Sequence, residues 1–465
     1  MAGSEGRHRS VATPDGAAPD APSATLVVRG GRPLRGSIRV PGDKSISHRA
    51  LILGALADGP EPTCIAGLSA CADVRATRRA LEHLGARIEG EPDGEVRIHG
   101  RGPQGLAGPP VRLDCQDSGT TMRLLAGLLA GQRRRFRLEA APSLQRRPMN
   151  RVVEPLGRMG AELRALGEAG RPPLEGEGRA LRGADLRLPR ASAQVGSALL
   201  LAALNAQGET RVHYPAPVRD HTERLLAAMA APIAWDARSS TLVGPVRHLA
   251  RPGGGAITVP GDLSSAAFLL CAAAILPGSR IRLPGVGINP GRTGILDILR
   301  AMGAPVAVSG WRQSAGEPLA DLATAAAELA AIGLGQPLVP RAIDELPLLA
   351  VLGARARGRT VLIEAGELRL KESDRIEAIC SGLRRMGADI VATEAGFIVE
   401  GPGELRGAEL DGRGDHRIVM ALAVAGLAAT GETRIRGAER IGDSYPGFVE
   451  DLVGLGAQVH LEPSD

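Results

Sequence analysis

Aromatic residues are almost missing: the 465-residue chain has two tryptophans, two tyrosines and four phenylalanines. So few rings cannot supply the stacking platforms on which single-stranded nucleic acids are held. The basic balance, a net charge of +5 spread along the whole chain, therefore points to a pocket for small anions and not to a nucleic-acid partner. Long apolar runs are missing too. The stretches 199–204 and 421–429 fall far short of the roughly 20 residues that cross a bilayer, so no membrane partner is expected. Cysteine is sparse: Cys64, Cys71, Cys115, Cys271 and Cys380 form no C-x-x-C pair. That pattern offers neither a disulfide framework nor a zinc site, and it suits a reducing cytoplasm.

Lysine is the most telling shortage. Of 56 basic residues only Lys44 and Lys371 are lysine. Arginine is a fixed, forked cation, whereas lysine is a point charge whose pKa responds to burial, so these two positions are candidates for chemistry. Familiar signatures are absent as well. Gly42-Asp43-Lys44-Ser45 lacks the upstream glycine of a phosphate-binding P-loop, no dinucleotide fingerprint occurs, and His48 and His416 have no His-x-x-x-His partner. No metal and no cofactor is expected.

What remains is a globular composition, 44% apolar and 23% charged, on a chain long enough for two large domains. Residues 1–24 are Ala, Pro, Gly and Ser with charges of both signs and no apolar core. They are expected to form a disordered tail and not a leader.

The rest repeats itself. Leu-x-x-(Leu/Met)-Gly-Ala occurs at Leu81, Leu156, Leu299, Leu383 and Leu452, with a degenerate copy at Leu226 where Ala230 replaces the glycine. The glycine fits the left-handed position that ends a helix. Ahead of each copy lies a polar segment opening an Ala/Leu-rich, all-round apolar helix, beginning at Lys44, Ser118, Ser192, Leu263, Asp344 and Asp415. Buried helices of this kind direct unpaired N–H groups and partial positive charge at whatever sits before them. Val40-Pro41-Gly42-Asp43 recurs as Val259-Pro260-Gly261-Asp262. The repeat suggests two crossings between halves of three units each: 42–258, and 25–41 with 259–465, with hinges near 41–43 and 259–262.

Candidate functional residues gather at these helix starts. Lys44 and Arg49 oppose the helix dipole unless an anion offsets them, whereas Ser118, Ser192 or Asp415 alone would be read as caps. Gly119 lets backbone approach a ligand. Arg146-Arg147-Pro148-Met149 precedes a helix that Pro148 is placed to open. Leu368 to Arg375 packs charge around the second lysine, and at helical spacing Lys371 and Arg375 would share a face.

Together PGDKSISHRA, DSGTTMRLLAG, RRPM, SAQVGSALLLAAL, RDHTERLL, DELPLLAV, LRLKESDRIEAI and GDHRIVMALA, in that order, resemble the 5-enolpyruvylshikimate-3-phosphate synthase family over about residues 25–462. The resemblance implies a two-domain inverse α/β barrel of six βαβαββ-like units, pseudo-threefold in each domain. It implies transfer of the enolpyruvyl group of phosphoenolpyruvate to shikimate 3-phosphate by a cytoplasmic protein, expected as a monomer. Shikimate 3-phosphate would be held by Lys44, Ser45, Arg49, Ser192, Ala193, Gln194, Arg219, Asp344 and Lys371. Phosphoenolpyruvate would be held by Lys44, Gly119, Arg147, Gln194, Arg375 and Arg417. Asp344 with Lys44 would handle the proton of the attacking hydroxyl, and Glu372 would protonate the methylene carbon.

Three departures stand out. Asp117 replaces the family's Asn beside the phosphoenolpyruvate contact and needs a partner, for which Arg123 is the candidate. Asp443 stands where one branch has a lysine. Leu124 replaces a proline near Gly119, the small residue that leaves room for glyphosate in sensitive members, so inhibition by glyphosate is implied. Two rival readings stay open. One is the sister enzyme acting on UDP-N-acetylglucosamine, which Lys44-Ser45, Arg49 and a structural Cys115 oppose. The other is a non-catalytic shikimate-3-phosphate-binding homologue, motivated by the two aspartates.

Overall fold

The computed structural model describes residues 23–463. Of the tail expected at 1–24, positions 1–22 lie outside the described residues, and Ala24 already opens the strand Ala24–Arg29.

One pattern runs through the chain six times. In the second unit the strand Val111–Asp114 leads through helix Gly119–Ala130 to the parallel strand Arg135–Glu139. Helix Asn150–Arg158 then leads to the antiparallel pair Glu162–Gly167 and Arg171–Glu177, and the last strand inserts beside Arg135–Glu139. The fifth unit repeats this order, with helices Leu346–Arg355 and Arg375–Arg385. Each β-α-β-α-β-β unit makes one small sheet covered by its helices, so the expected six-unit α/β architecture is the one the chain adopts.

Three sheets are completed by strands from elsewhere. Ala24–Arg29 lies between Glu432–Arg436 and Gln458–Pro463 in the sixth. Arg35–Ser37 runs parallel to Arg280–Gly287 in the fourth, and Ala256–Thr258 runs parallel to Thr63–Ala66 in the first. The chain crosses between halves just after these last two strands, at the repeated Pro-Gly-Asp. Buried apolar side chains accordingly form two clusters, one drawn from positions 46–259 and the other from 26–40 with 263–459.

The crossings are tied to each other. The Asp43 amide donates to Pro260 O at 2.7 Å and the Asp262 amide to Pro41 O at 2.8 Å. Buried Arg292 donates to Asp43, to Asp262 at 3.1 Å and to Ser264 Oγ at 2.6 Å. Asp43 and Asp262 also cap helices Lys44–Ala55 and Leu263–Ile275. One guanidinium thus fixes where two inner helices begin.

The inner helices are buried all round, as their composition requires: every residue of Gly119–Ala130, Leu263–Ile275 and His416–Leu427 is inaccessible. The second helix of each unit is amphipathic and ends as the repeat predicts. Gly85, Gly160, Gly303, Gly387 and Gly456 all have φ between 89° and 101°. Ala230, the degenerate copy, is forced into the same region at φ 59°. One local expectation fails: Pro148 does not open a helix. Met149 is the N-cap of Asn150–Arg158, and the proline that opens a helix here is Pro142 of Pro142–Gln145.

Ala230 is exposed and carries backbone strain without packing in return. Ala230→Gly is expected to raise stability by about 1 kcal/mol in urea unfolding, since the left-handed region costs a Cβ-bearing residue about that much. Arg292→Leu leaves two buried carboxylates unpaired and is expected to cost about 3–5 kcal/mol in the same measurement.

Candidate active site

The inner helices begin with the residues singled out from the sequence. Lys44 is the first residue of its helix. Its amide donates to Asp262 at 3.2 Å and its Nζ to Asp73 at 3.0 Å. Burial would lower its pKa, but Asp73 outweighs burial and raises it above the ordinary lysine value, so Lys44 is a fixed cation. Arg49, 4% exposed, donates only to neutral acceptors: Ser45 O, Thr222 Oγ1 and Ser197 Oγ, at 2.7–2.8 Å. A buried guanidinium with no carboxylate hydrogen-bonded to it is one that a bound anion would satisfy.

At the second inner helix Ser118 caps, accepting from the Thr121 amide. A Cβ on Gly119 would lie 2.8 Å from Arg123 Nη1 and 3.3 Å from Arg147 Nη1, so glycine lets two guanidiniums close over this helix start. Burial, and then Arg147, push Arg123 down to about 9. Arg123 donates to Gln194 Oε1, and Gln194 Nε2 to Thr120 Oγ1 at 2.8 Å. Ser192 caps the third inner helix, which Ala193 begins.

The second half supplies the carboxylates. Asp344 accepts from Arg219 Nη2 at 2.8 Å, and Arg375, Lys371 and Arg417 stand 3.6, 3.8 and 3.9 Å from it. Burial would raise its pKa, but these cations outweigh burial, led by Arg417 and Arg219, and hold it well below the usual carboxylate range. Glu372 pairs with Arg375 at 2.7 Å and Arg147 at 3.4 Å. It too is held well below its ordinary value, with Arg375 and Arg147 overcoming the effect of burial. Arg375, 1% exposed on its side chain, also pairs with Asp415 at 2.8 Å. Its Nη1 has no hydrogen-bond partner. His416 is driven down to about 3 by burial and then by Lys44, so it is neutral at physiological pH.

Arg147, Arg219, Asp344, Lys371, Glu372, Arg375 and Arg417 thus share one ion-pair network; Gly119 borders it beside Arg147, and Lys44, paired with Asp73, feels the charge of Arg417. Two of the network's pairs, Arg219–Asp344 and Arg147–Glu372, join the stretch 46–259 to the stretch 263–459, from which the two apolar clusters are drawn. The helical spacing read for Lys371 and Arg375 does not hold. Lys371 follows the turn Gly366–Leu370, and Arg375 begins a helix capped by Asp374. They meet because both point at Asp344, not because they stack on one helix face. Asp73, Thr222, Ser197 and Arg292 escaped sequence reasoning. Asp73 left the clearest trace, an acid in the first turn of the second helix of unit one. Nothing in the sequence marks Arg292.

The model of the family described as EPSP synthase (3-phosphoshikimate 1-carboxyvinyltransferase) matches residues 28–452. The chain belongs to the EPSP synthase family. A 3-phosphoshikimate 1-carboxyvinyltransferase of Acidithiobacillus ferrooxidans is 50% identical over 91% of this chain and 95% of its own length. One of an Anaeromyxobacter species is 49% identical over 93% and 99%. A solved EPSP synthase of Acinetobacter baumannii superposes with a TM-score of 0.86 at 42% identity, covering 95% of this chain and all of that one. Among the described residues no helix is long and apolar enough to cross a membrane.

Against the family pattern, Asp117 does not pair with Arg123. It accepts from Ser143 Oγ and stands 3.4 Å from Arg440, because Arg123 is committed to Gln194. Asp443 pairs with Arg440 at 2.9 Å. Burial, only partly offset by Arg440, pushes the Asp443 carboxyl up to about 6. A carboxyl whose folded pKa exceeds its unfolded value binds the extra proton only when folded, so its contribution to stability is lost as pH rises from about 4 through 6. Asp443→Asn should therefore raise the melting temperature relative to wild type at pH 8, by the equivalent of about 1 kcal/mol, and lose that advantage at pH 4.5. Thermal unfolding across this range checks it.

Proposed function

We propose that this chain transfers the enolpyruvyl group of phosphoenolpyruvate to the 5-hydroxyl of shikimate 3-phosphate and releases phosphate. The observation that carries the reading is the cation-rich network at the helix starts, with two carboxylates at its centre, in a chain of the EPSP synthase family. Two phosphorylated reactants repel each other. A preorganised ring of guanidiniums, ammonium groups and helix N-termini offsets that repulsion without reorganising at the moment of reaction.

Lys44, Ser45, Arg49, Ser192, Ala193, Gln194, Arg219 and Lys371 are assigned to shikimate 3-phosphate, which Asp344 also meets. Gly119, Arg147, Arg375 and Arg417, with Lys44 and Gln194, are assigned to phosphoenolpyruvate. Asp344 takes the proton of the 5-hydroxyl while that oxygen bonds to C2 of phosphoenolpyruvate, once the substrates' charges occupy Arg417 and Arg219 and weaken the hold that keeps its pKa low. Glu372 delivers a proton to C3, making a methyl group and a tetrahedral adduct. Glu372 then removes a proton from that methyl, the double bond re-forms, and the C2–O bond to phosphate breaks, with the electron pair leaving on phosphate, which takes up the proton held by Asp344.

This sequence requires Glu372 to carry a proton, although its arginines keep it ionised in the free protein. The conflict resolves through the substrate. Arg375 and Arg147 are the groups assigned to phosphoenolpyruvate, and once its charges occupy them their hold on Glu372 weakens and its pKa rises. Two domains hinged near 41–43 and 259–262 are part of the reading. They are supported by the two buried apolar clusters, one for each half, and by the ion pairs between them.

Phosphate release should occur with shikimate 3-phosphate and not with UDP-N-acetylglucosamine as acceptor. Glu372→Gln should lower kcat by about 10²–10⁴-fold, the usual weight of a general acid–base group, with the shikimate 3-phosphate affinity little changed. Unaltered turnover in that variant would defeat the assignment.

A further inference from the structure

Asp117 and Asp443 bring two carboxylates to the edge of an anion site, and one guanidinium takes both. Arg440 Nη2 lies 2.9 Å from Asp443 and 3.4 Å from Asp117, and its Nη1 lies 3.5 Å from Asp117. Arg440 stands in the turn Ala438–Asp443, whose Ala438 and Ile441 belong to the second core. Asp117 immediately precedes the cap of the second inner helix, whose apolar residues belong to the first. The contact therefore joins the two halves, as Arg147–Glu372 and Arg219–Asp344 do. Unlike those pairs it uses no residue assigned to either substrate. Asp117 is nonetheless close to that assignment: its carbonyl accepts from the Gly119 amide at 3.1 Å, and Gly119 is the residue over which Arg147 closes.

We propose that Arg440 is a positioning residue for phosphoenolpyruvate: by clasping Asp117 across the cleft and Asp443 on its own turn, it offsets two carboxylates that would otherwise repel the entering anion. The inference rests on the function proposed above. Its physical basis is that an uncompensated carboxylate within about 6 Å of a bound anion weakens binding tenfold or more at the effective dielectric of a protein surface. A guanidinium reaches both acids at once through its fork, which an ammonium cannot do. If Arg440 did no more than fasten its own turn, its loss would lower stability and treat both substrates alike.

The test is the initial rate of phosphate release in wild type, Arg440→Gln, Asp117→Asn and the double variant, with each substrate varied while the other saturates. Arg440→Gln should raise the KM for phosphoenolpyruvate about tenfold or more while kcat and the KM for shikimate 3-phosphate stay within about threefold. Adding Asp117→Asn, which removes the offending charge, should bring most of that KM back. An unchanged KM, an equal rise for both substrates, or no recovery in the double variant overturns the proposal. Should Arg440→Gln not fold, Arg440→Lys gives the same comparison, with a smaller rise and the same recovery expected. A wild-type chain that binds both substrates by calorimetry but releases no phosphate defeats the reaction and leaves the clasp to be read from phosphoenolpyruvate affinities in the same four proteins. A chain that does not bind phosphoenolpyruvate overturns both.

Discussion

The two polypeptide crossings could have been loose linkers, and Arg292 makes them a joint. Its guanidinium, 4% exposed, sits between Asp43 and Asp262, while backbone hydrogen bonds join Asp43 to Pro260 and Asp262 to Pro41. Burying three charges is costly unless geometry and hydrogen bonding are good, and here each carboxylate has a second duty at a helix start. Asp43 accepts from the Ile46 amide, and Asp262 from the amides of Ser264 and Lys44. The last contact matters most. The backbone of Lys44, at the head of the first half's first helix, is bonded to a carboxylate from the other crossing. The site therefore inherits its registration from the joint.

Away from that joint the halves are held by charge. Each half has its own buried apolar cluster, and besides the buried His221–Glu317 pair the partly exposed ion pairs that join them include Arg219–Asp344, Arg147–Glu372 and Arg440–Asp117. Partly exposed ion pairs contribute little to stability, so these ties can exchange partners at small cost. Two of them join the groups assigned to opposite roles, a cation for substrate and a carboxylate for proton transfer. An arriving anion that takes the arginine frees the carboxylate. Binding and preparation for chemistry are then one event, a form of coupling that an apolar interface would not provide.

How far the sequence reveals this depends on whether a feature is local. The helix-ending repeat is local, and it located six helix ends, including the strained Ala230. The polar segments opening apolar helices located the site, because burial of a helix with a charged start has few explanations. What failed was pairing. The sequence offers Arg123 as the partner of Asp117, whereas the structure gives it Arg440, 323 positions away. Lys371 and Arg375 were stacked on a helix that does not exist between them, yet they converge on Asp344. Arg292 left no trace at all, since a buried arginine in the loop before Gly294–Ala301 looks like any solvated one. Periodicity reports which face of an element is buried; it does not report what a long flexible cation reaches.

The two lysines show what arginine could not replace. Their pKa values move in opposite directions: Asp73 lifts Lys44 against burial, whereas burial, reinforced by Arg375, lowers Lys371 despite Asp344 nearby. An arginine at position 44 would bind Asp73 through its fork and be locked there, out of reach of a substrate. An ammonium on a flexible stem can keep one bond to Asp73 and offer its other protons to a phosphate or a hydroxyl. At position 371 the difference is again one of geometry. A guanidinium beside Asp344 would engage it through a planar fork, while the ammonium of Lys371, 3.8 Å away, is a point charge that can turn toward a substrate oxygen. A chain that otherwise uses arginine for nearly every positive charge retains lysine at two positions where its compact, proton-donating head matters.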